Sequence, residues 1–127
     1  MNLSQQRADL AETLKNAAAD LTINPYVPEM VSPPAIIIEP SDPYLTIDDD
    51  TPFGHWTIAY DLLAVVEVGT NEKATEDLDN LITAVATALK GAYAVSKVSQ
   101  PFGYQSNTVV HLATTITVTD TTDLTTE

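Results

Sequence analysis

From Trp56 to Val68 the chain alternates in a way that a strand satisfies and a helix does not. Trp56, Ile58, Tyr60, Leu62, Ala64, Val66 and Val68 fall on one face at a period of two. The other face carries Thr57, Ala59, Asp61, Leu63, Val65 and Glu67, polar at both ends and apolar in the middle. One whole face must therefore pack on a core, and the middle of the second face needs a cover of its own.

The next segment supplies a helix. Glu72 to Lys90 places Ala74, Leu78, Leu81, Ile82, Val85 and Leu89 on one stripe. Thr70 or Asn71 can cap its start, Glu72, Glu76 and Asp77 lie near the positive end of its dipole, and Gly91 is a left-handed stop beyond Lys90. A second amphipathic helix is expected over Leu3 to Asp20, with Asn2 or Ser4 as cap and Asn24-Pro25 as its end. The proline-rich PYVPEMVSPP that follows reads as a stiff extended connector.

The remaining strands are shorter. Ala35 to Glu39 is β-branched and bounded by prolines, and SDPYLTIDDDTP after it reads as a polar loop with turns at Asp42-Pro43 and Thr51-Pro52. Ala94 to Ser99 and Thr108 to Thr119 form the last two strands, joined by a loop from Pro101 to Asn107. The tail TDTTDLTTE is expected to fray or to pack on a neighbour. The order is α-β-β-α-β-β without an internal repeat. It predicts a single α+β domain over residues 1–127, a mainly antiparallel four-stranded sheet with both helices packed on one face.

Charge narrows the function classes. Eighteen acidic residues against five basic ones give a net charge of −13. Binding nucleic acid or anionic lipid requires clustered Lys and Arg, which this chain lacks. No apolar run approaches the roughly 18 residues of a membrane span. The N-terminal MNLSQQRADL has no apolar signal-peptide core, so synthesis and use in the cytosol are expected. Absence of cysteine removes disulfides, thiolate metal sites and cysteine nucleophiles.

Catalytic signatures are absent as well. There is no GxSxG elbow and no P-loop, and four glycines cannot build a phosphate cradle. His55 and His111 would need Asp61 or the Asp48–Asp50 run beside them to make a metal or acid–base site, and surface histidines are the favoured reading. Asp48-Asp49-Asp50 lacks the alternation, central glycine and distal glutamate of a calcium loop and reads as a solvated turn. Asn2-Leu3-Ser4 fits the glycosylation acceptor pattern but carries no weight at the extreme N-terminus. No catalytic, cofactor or metal residues are assigned.

Apolar side chains in expected loops point instead to protein contacts. Val27, Met30 and Val31 lie in the connector, Tyr44, Leu45 and Ile47 in one loop, and Phe102 and Tyr104 in another. Any one of these side chains can tuck under its own domain, but anchors on three separate loops suit partner binding. Tyr44, Leu45, Ile47, Phe102 and Tyr104 are the candidate contact residues.

The series SPPAIIIEPSDPYL, then FGHWTIAYDLLAVVEVGTNEKATEDLDNLITAVATALKG, then VSKVSQPFGY resembles the tail terminator proteins of long-tailed actinobacterial phages. The matching positions are Pro33, Pro34 and Ala35; Pro40 and Tyr44; Asn71; and Leu78, Asp79, Leu81 and Ile82, within Ser32 to Tyr104. The resemblance implies a structural virion protein without enzymatic activity and without a cofactor. It implies a homo-oligomeric ring, hexameric in that family, that caps the head-proximal end of the tail tube. The tube protein and a head-side stopper would be its partners, with the Tyr44–Pro52 and Phe102–Asn107 segments as contacts. Genomic DNA would pass through such a ring without specific binding, and no membrane is involved. Acidic residues, Asp48 to Asp50 among them, are then expected to avoid the subunit contacts and to line the bore, whereas Arg7, Lys15, Lys73, Lys90 and Lys97 are not. Two alternatives stand beside this expectation: a head-tail adaptor or stopper of the phage neck, and a small cytosolic ligand-binding or enzymatic α+β domain.

Overall fold

A computed structural model describes residues 2–18, 20–47, 51–106 and 108–124. Its elements are α1 (Leu3–Leu14), β1 (Thr22–Asn24), β2 (Ala35–Thr46), β3 (Trp56–Val65), α2 (Asn71–Leu89), β4 (Ala94–Val98), β5 (Phe102–Ser106) and β6 (Val109–Thr122). The class is α+β with two helices, but the four-stranded antiparallel sheet in the order α-β-β-α-β-β is not what forms. The sheet has six strands in the order β1-β2-β3-β6-β4, with β5 also paired to β6. It is mixed, because β1 runs parallel to β2 while the other pairs are antiparallel.

β3 takes the central place that its alternation demands. Ile58, Tyr60, Leu62 and Ala64 are fully buried on one face, together with Ile36 and Ile38 of β2 and Ile116 and Val118 of β6. Leu10 and Leu14 of α1 and Leu78, Val85 and Leu89 of α2 close over them, so both helices pack on this face. Leu63 and Val65 point the other way and join Ile37 and Ala113 in a second, smaller cluster under Val31 and Tyr104. The ladder stops at Val65, short of the expected Val68. Val66 is still buried and its N–H donates to the Leu112 carbonyl at 3.1 Å.

α2 follows its sequence signals closely. The Thr70 hydroxyl accepts from the Lys73 N–H at 3.2 Å, and Gly91 ends the helix at φ 86°. α1 begins with a capping box in which Asn2 Oδ1 accepts from the Gln5 N–H at 2.8 Å and Gln5 Oε1 accepts from the Asn2 N–H at 3.2 Å. It stops at Leu14 instead of continuing to Asp20. The chain beyond it must bring the Thr22 N–H to the Pro34 carbonyl (3.0 Å) so that β1 can pair with β2, and that pairing overrides the helix propensity of Ala17 and Ala18.

β2 runs to Thr46, far beyond the expected Glu39, with its register shifting between Pro40 and Leu45. β1 accompanies it only from Ala35 to Ile37, so Pro40 and Pro43 fall where one side of β2 needs no ladder donor. β6 extends to Thr122, which pairs with Trp56 and is buried, so the start of the threonine-rich tail belongs to the sheet.

The expected Pro101–Asn107 loop is in large part strand β5, and it continues the β4 edge. Ala113 pairs with Val65 on one side and Phe102 on the other, which places β5 across β6 from β3. Ser99 holds the join: its N–H donates to the Thr115 carbonyl at 2.9 Å, its Oγ accepts from the Thr115 N–H at 2.9 Å, and its carbonyl accepts from the Thr114 hydroxyl at 2.7 Å. β4, β5 and β6 therefore make one long hairpin, whose outer half reaches past the end of β3.

Beside the core, Arg7 Nη2 donates to the Tyr44 hydroxyl at 3.2 Å and the guanidinium lies 5.3 Å from the Tyr26 ring centroid. Tyr44 meets Tyr60 edge to face with centroids 5.7 Å apart. Tyr60 is wholly buried, and its hydroxyl has no hydrogen-bond partner among the described residues. Burial, and then the neighbouring Tyr44, pushes the Tyr60 phenol far above its ordinary pKa.

Two outcomes follow from this packing. Leu81→Ala should cost about 2–5 kcal/mol, measured as a loss of unfolding free energy in urea, because the side chain is buried under α2 and leaves a cavity. For Tyr60, the folded state favours the neutral phenol, so above the unfolded-state value near pH ~10 the unfolded chain loses a proton that the fold keeps, and stability falls as pH rises. Tyr60→Phe should match or exceed the parent near neutral pH, since it removes a buried unpaired hydroxyl. The same variant should lose less stability in alkali, with denaturant midpoints at both pH values as the readout. Some decline will remain, because burial also raises Tyr93.

Candidate functional site

The fold separates the five candidate contact residues into two groups. Tyr44 and Leu45 lie in β2, not in a loop, and both are half-buried against the main core. Their own domain uses much of their apolar surface. Ile47 follows them and is 66% exposed. Phe102 and Tyr104 also lie in a strand, β5, with Phe102 exposed and Tyr104 laid over Leu63 and Val65. Leu45 is opposite Ile58 near the start of β3, whereas Phe102 reaches Val65 at its end through Ala113. At about 3.3 Å per residue, the two groups are roughly 20 Å apart along the sheet. In the connector, Val27 and Met30 are exposed while Val31 helps Tyr104 to cover the second cluster.

Neither histidine bonds Asp61 among the described residues. His55 Nδ1 lies 3.3 Å from the Phe53 carbonyl, and His111 is opposite Tyr104 in the hairpin with its Nδ1 buried and without a partner among the described residues. Asp61 Oδ1 accepts instead from the Thr117 hydroxyl at 2.8 Å. Asp48, Asp49 and Asp50 lie outside the described residues. Among the described residues, no three His, Asp or Glu side chains come together in a way that could hold a metal ion.

A cleft of about 400 Å³ opens between the start of α2 and the turn after α1. Leu21, Val66, Leu81 and Ala84 give it an apolar lining, and Asp20, Glu67 and Asp77 add carboxylates. Its one cation, Lys73, bonds Asp77 at 2.7 Å, and that hydrogen bond and charge raise the lysine pKa. Lys73 stays protonated and is not a neutral amine nucleophile. The cleft is suited to a neutral or basic group and is built poorly for an anion.

The sheet face away from the helices holds an arrangement that sequence spacing does not reveal. Glu39, Asp61, Thr117 and Lys97 come from four successive strands and stand in one register row. Long-range pairing creates this row, so only the neighbouring strands, and no local motif, could have announced it.

Comparison with protein-family models and with curated proteins gives no match, so the functional reading rests on the residues, the fold and the surfaces described above.

Proposed function

We propose that the chain is a structural subunit of a long-tailed phage: a tail terminator whose ring, hexameric by the resemblance, caps the head-proximal end of the tail tube and joins it to the neck. The residue pattern from Ser32 to Tyr104 carries this reading. Large apolar side chains left in water at two ends of the sheet, Ile47 and Phe53 at one and Phe102 and Val110 at the other, support it, because a ring subunit between a tube and a stopper needs contacts of that kind on more than one side. The activity is assembly, with no catalytic step. The virion tail is the place of action and the host cytoplasm the place of synthesis. An adaptor or stopper of the neck is the nearest alternative. The 400 Å³ cleft favours the other one, a small ligand-binding domain.

The net charge of −13 fits a ring through which DNA slides, since an acidic wall neutralises no phosphate and releases no counterions. Electron microscopy of tails from a phage carrying a tagged copy should place the tag at the head-proximal end of the tube. Removing the gene should leave tubes of uncontrolled length. Virions without the chain at that end, or tails of normal length in its absence, would sink the proposal. The isolated protein should leave duplex DNA unshifted in gel mobility at low salt, and tight salt-dependent binding would contradict the acidic-wall reading.

A further inference from the structure

Between Asp79 and Asp120 the sequence contains no Asp or Glu, and Lys90 and Lys97 are its only Lys or Arg there. All eighteen carboxylates of a chain with net charge −13 therefore lie outside this stretch. It folds into the later turns of α2 and most of the β4–β5–β6 hairpin. Every residue of β4 is exposed, and Val98 and Phe102 remain 42% and 38% exposed along the same edge. Val110, at 60%, stands on the part of the hairpin beyond β3. Among the described residues no further strand pairs with the outer side of β4 and β5, so that side presents open backbone donors and acceptors. The opposite sheet edge differs, because β1 is only three residues long and runs into the proline-rich connector.

We infer that this acid-free hairpin edge is the surface on which a second copy of the chain docks, held against an acidic surface of that copy. Charge selects the occupant. Outside this stretch no run free of Asp and Glu is longer than the ten residues 51–60, so contact between two copies through other regions brings carboxylates close to carboxylates, whereas the hairpin offers a broad surface of apolar side chains and Lys97 to a partner surface that is strongly negative. The two halves of such a contact are unlike, so it is heterologous, and its repetition closes a ring when the rotation allows. The inference rests on the self-assembly part of the ring reading and is independent of what the ring caps.

Sedimentation velocity across a concentration series tests it with the full chain, Lys97→Glu, Val98→Asp and the control Lys15→Glu. Lys15 is an exposed residue outside the hairpin, paired with Glu12 at 3.5 Å, and its substitution makes the same charge change as Lys97→Glu. The parent should associate as concentration rises. Lys97→Glu and Val98→Asp should weaken association roughly tenfold or more, and Lys15→Glu should change it much less. Thermal melts establish that each variant is folded, and Lys97→Glu carries the test if Val98→Asp is not. A parent that stays monomeric at the highest concentration reached overturns the inference. So does equal weakening by Lys15→Glu and Lys97→Glu, which would assign the effect to total charge. Rings that persist in both hairpin variants sink the hairpin contact and leave the ring reading standing, while association through the hairpin by a chain that never locates to tails does the reverse.

Discussion

Everything in this fold is arranged around a strand that has to be dry on both sides. β3 buries Ile58, Tyr60, Leu62 and Ala64 under the helices and Leu63 and Val65 on the opposite face. The first requirement is met by a full helical layer. The second is met by single side chains reaching in from elsewhere, Val31 from the connector and Tyr104 from β5. Apolar surface needs removal from water but does not specify which element removes it, and here two otherwise irregular segments do so. The connector and the far half of the hairpin are thus tied to the core by a few contacts each, which explains why they can be long and largely exposed while the sheet between them stays fixed.

The sequence was most legible where local chemistry decides. α2 announces its cap at Thr70, its stripe from Ala74 to Leu89 and its stop at Gly91, and it forms within a residue of those marks. It was least legible where pairing partners decide. β1 is three residues whose only claim to be a strand is the adjacent Ala35–Ile37 segment. Pro40 and Pro43 look like strand breakers, yet they fall where β1 no longer runs beside β2. Pro101 and Gly103 look like a loop, yet Gly103 sits opposite Leu112 in the hairpin, and a Cβ there would come within 3.0 Å of the Val110 side chain. In that position glycine serves close packing and not a turn.

The same division governs the candidate surface. Sequence reading found the apolar residues that stand outside the helical and strand periodicities, but it could not distinguish those the domain keeps for itself from those it leaves in water. Tyr44 was committed by Arg7 and Tyr60, residues far from it in the chain. Ile47, three positions later, was not committed at all. The charge map needs no structure to read, since the gap between Asp79 and Asp120 is plain in the sequence. Its significance appears only once β4 and β5 are seen to occupy one sheet edge together.

The placement of Trp56 has an optical consequence. It is the only tryptophan, it opens β3 opposite Thr122 where β6 ends, and it is partly exposed. Phe102 and Val110 are at the other end of the sheet. Intrinsic fluorescence of this protein is therefore a single-site signal from one pole of the molecule. Its emission will respond to a molecule that shields the Trp56 end from solvent and stay nearly constant when only the hairpin pole is covered, so one unlabelled chain can report which of its two ends has been engaged.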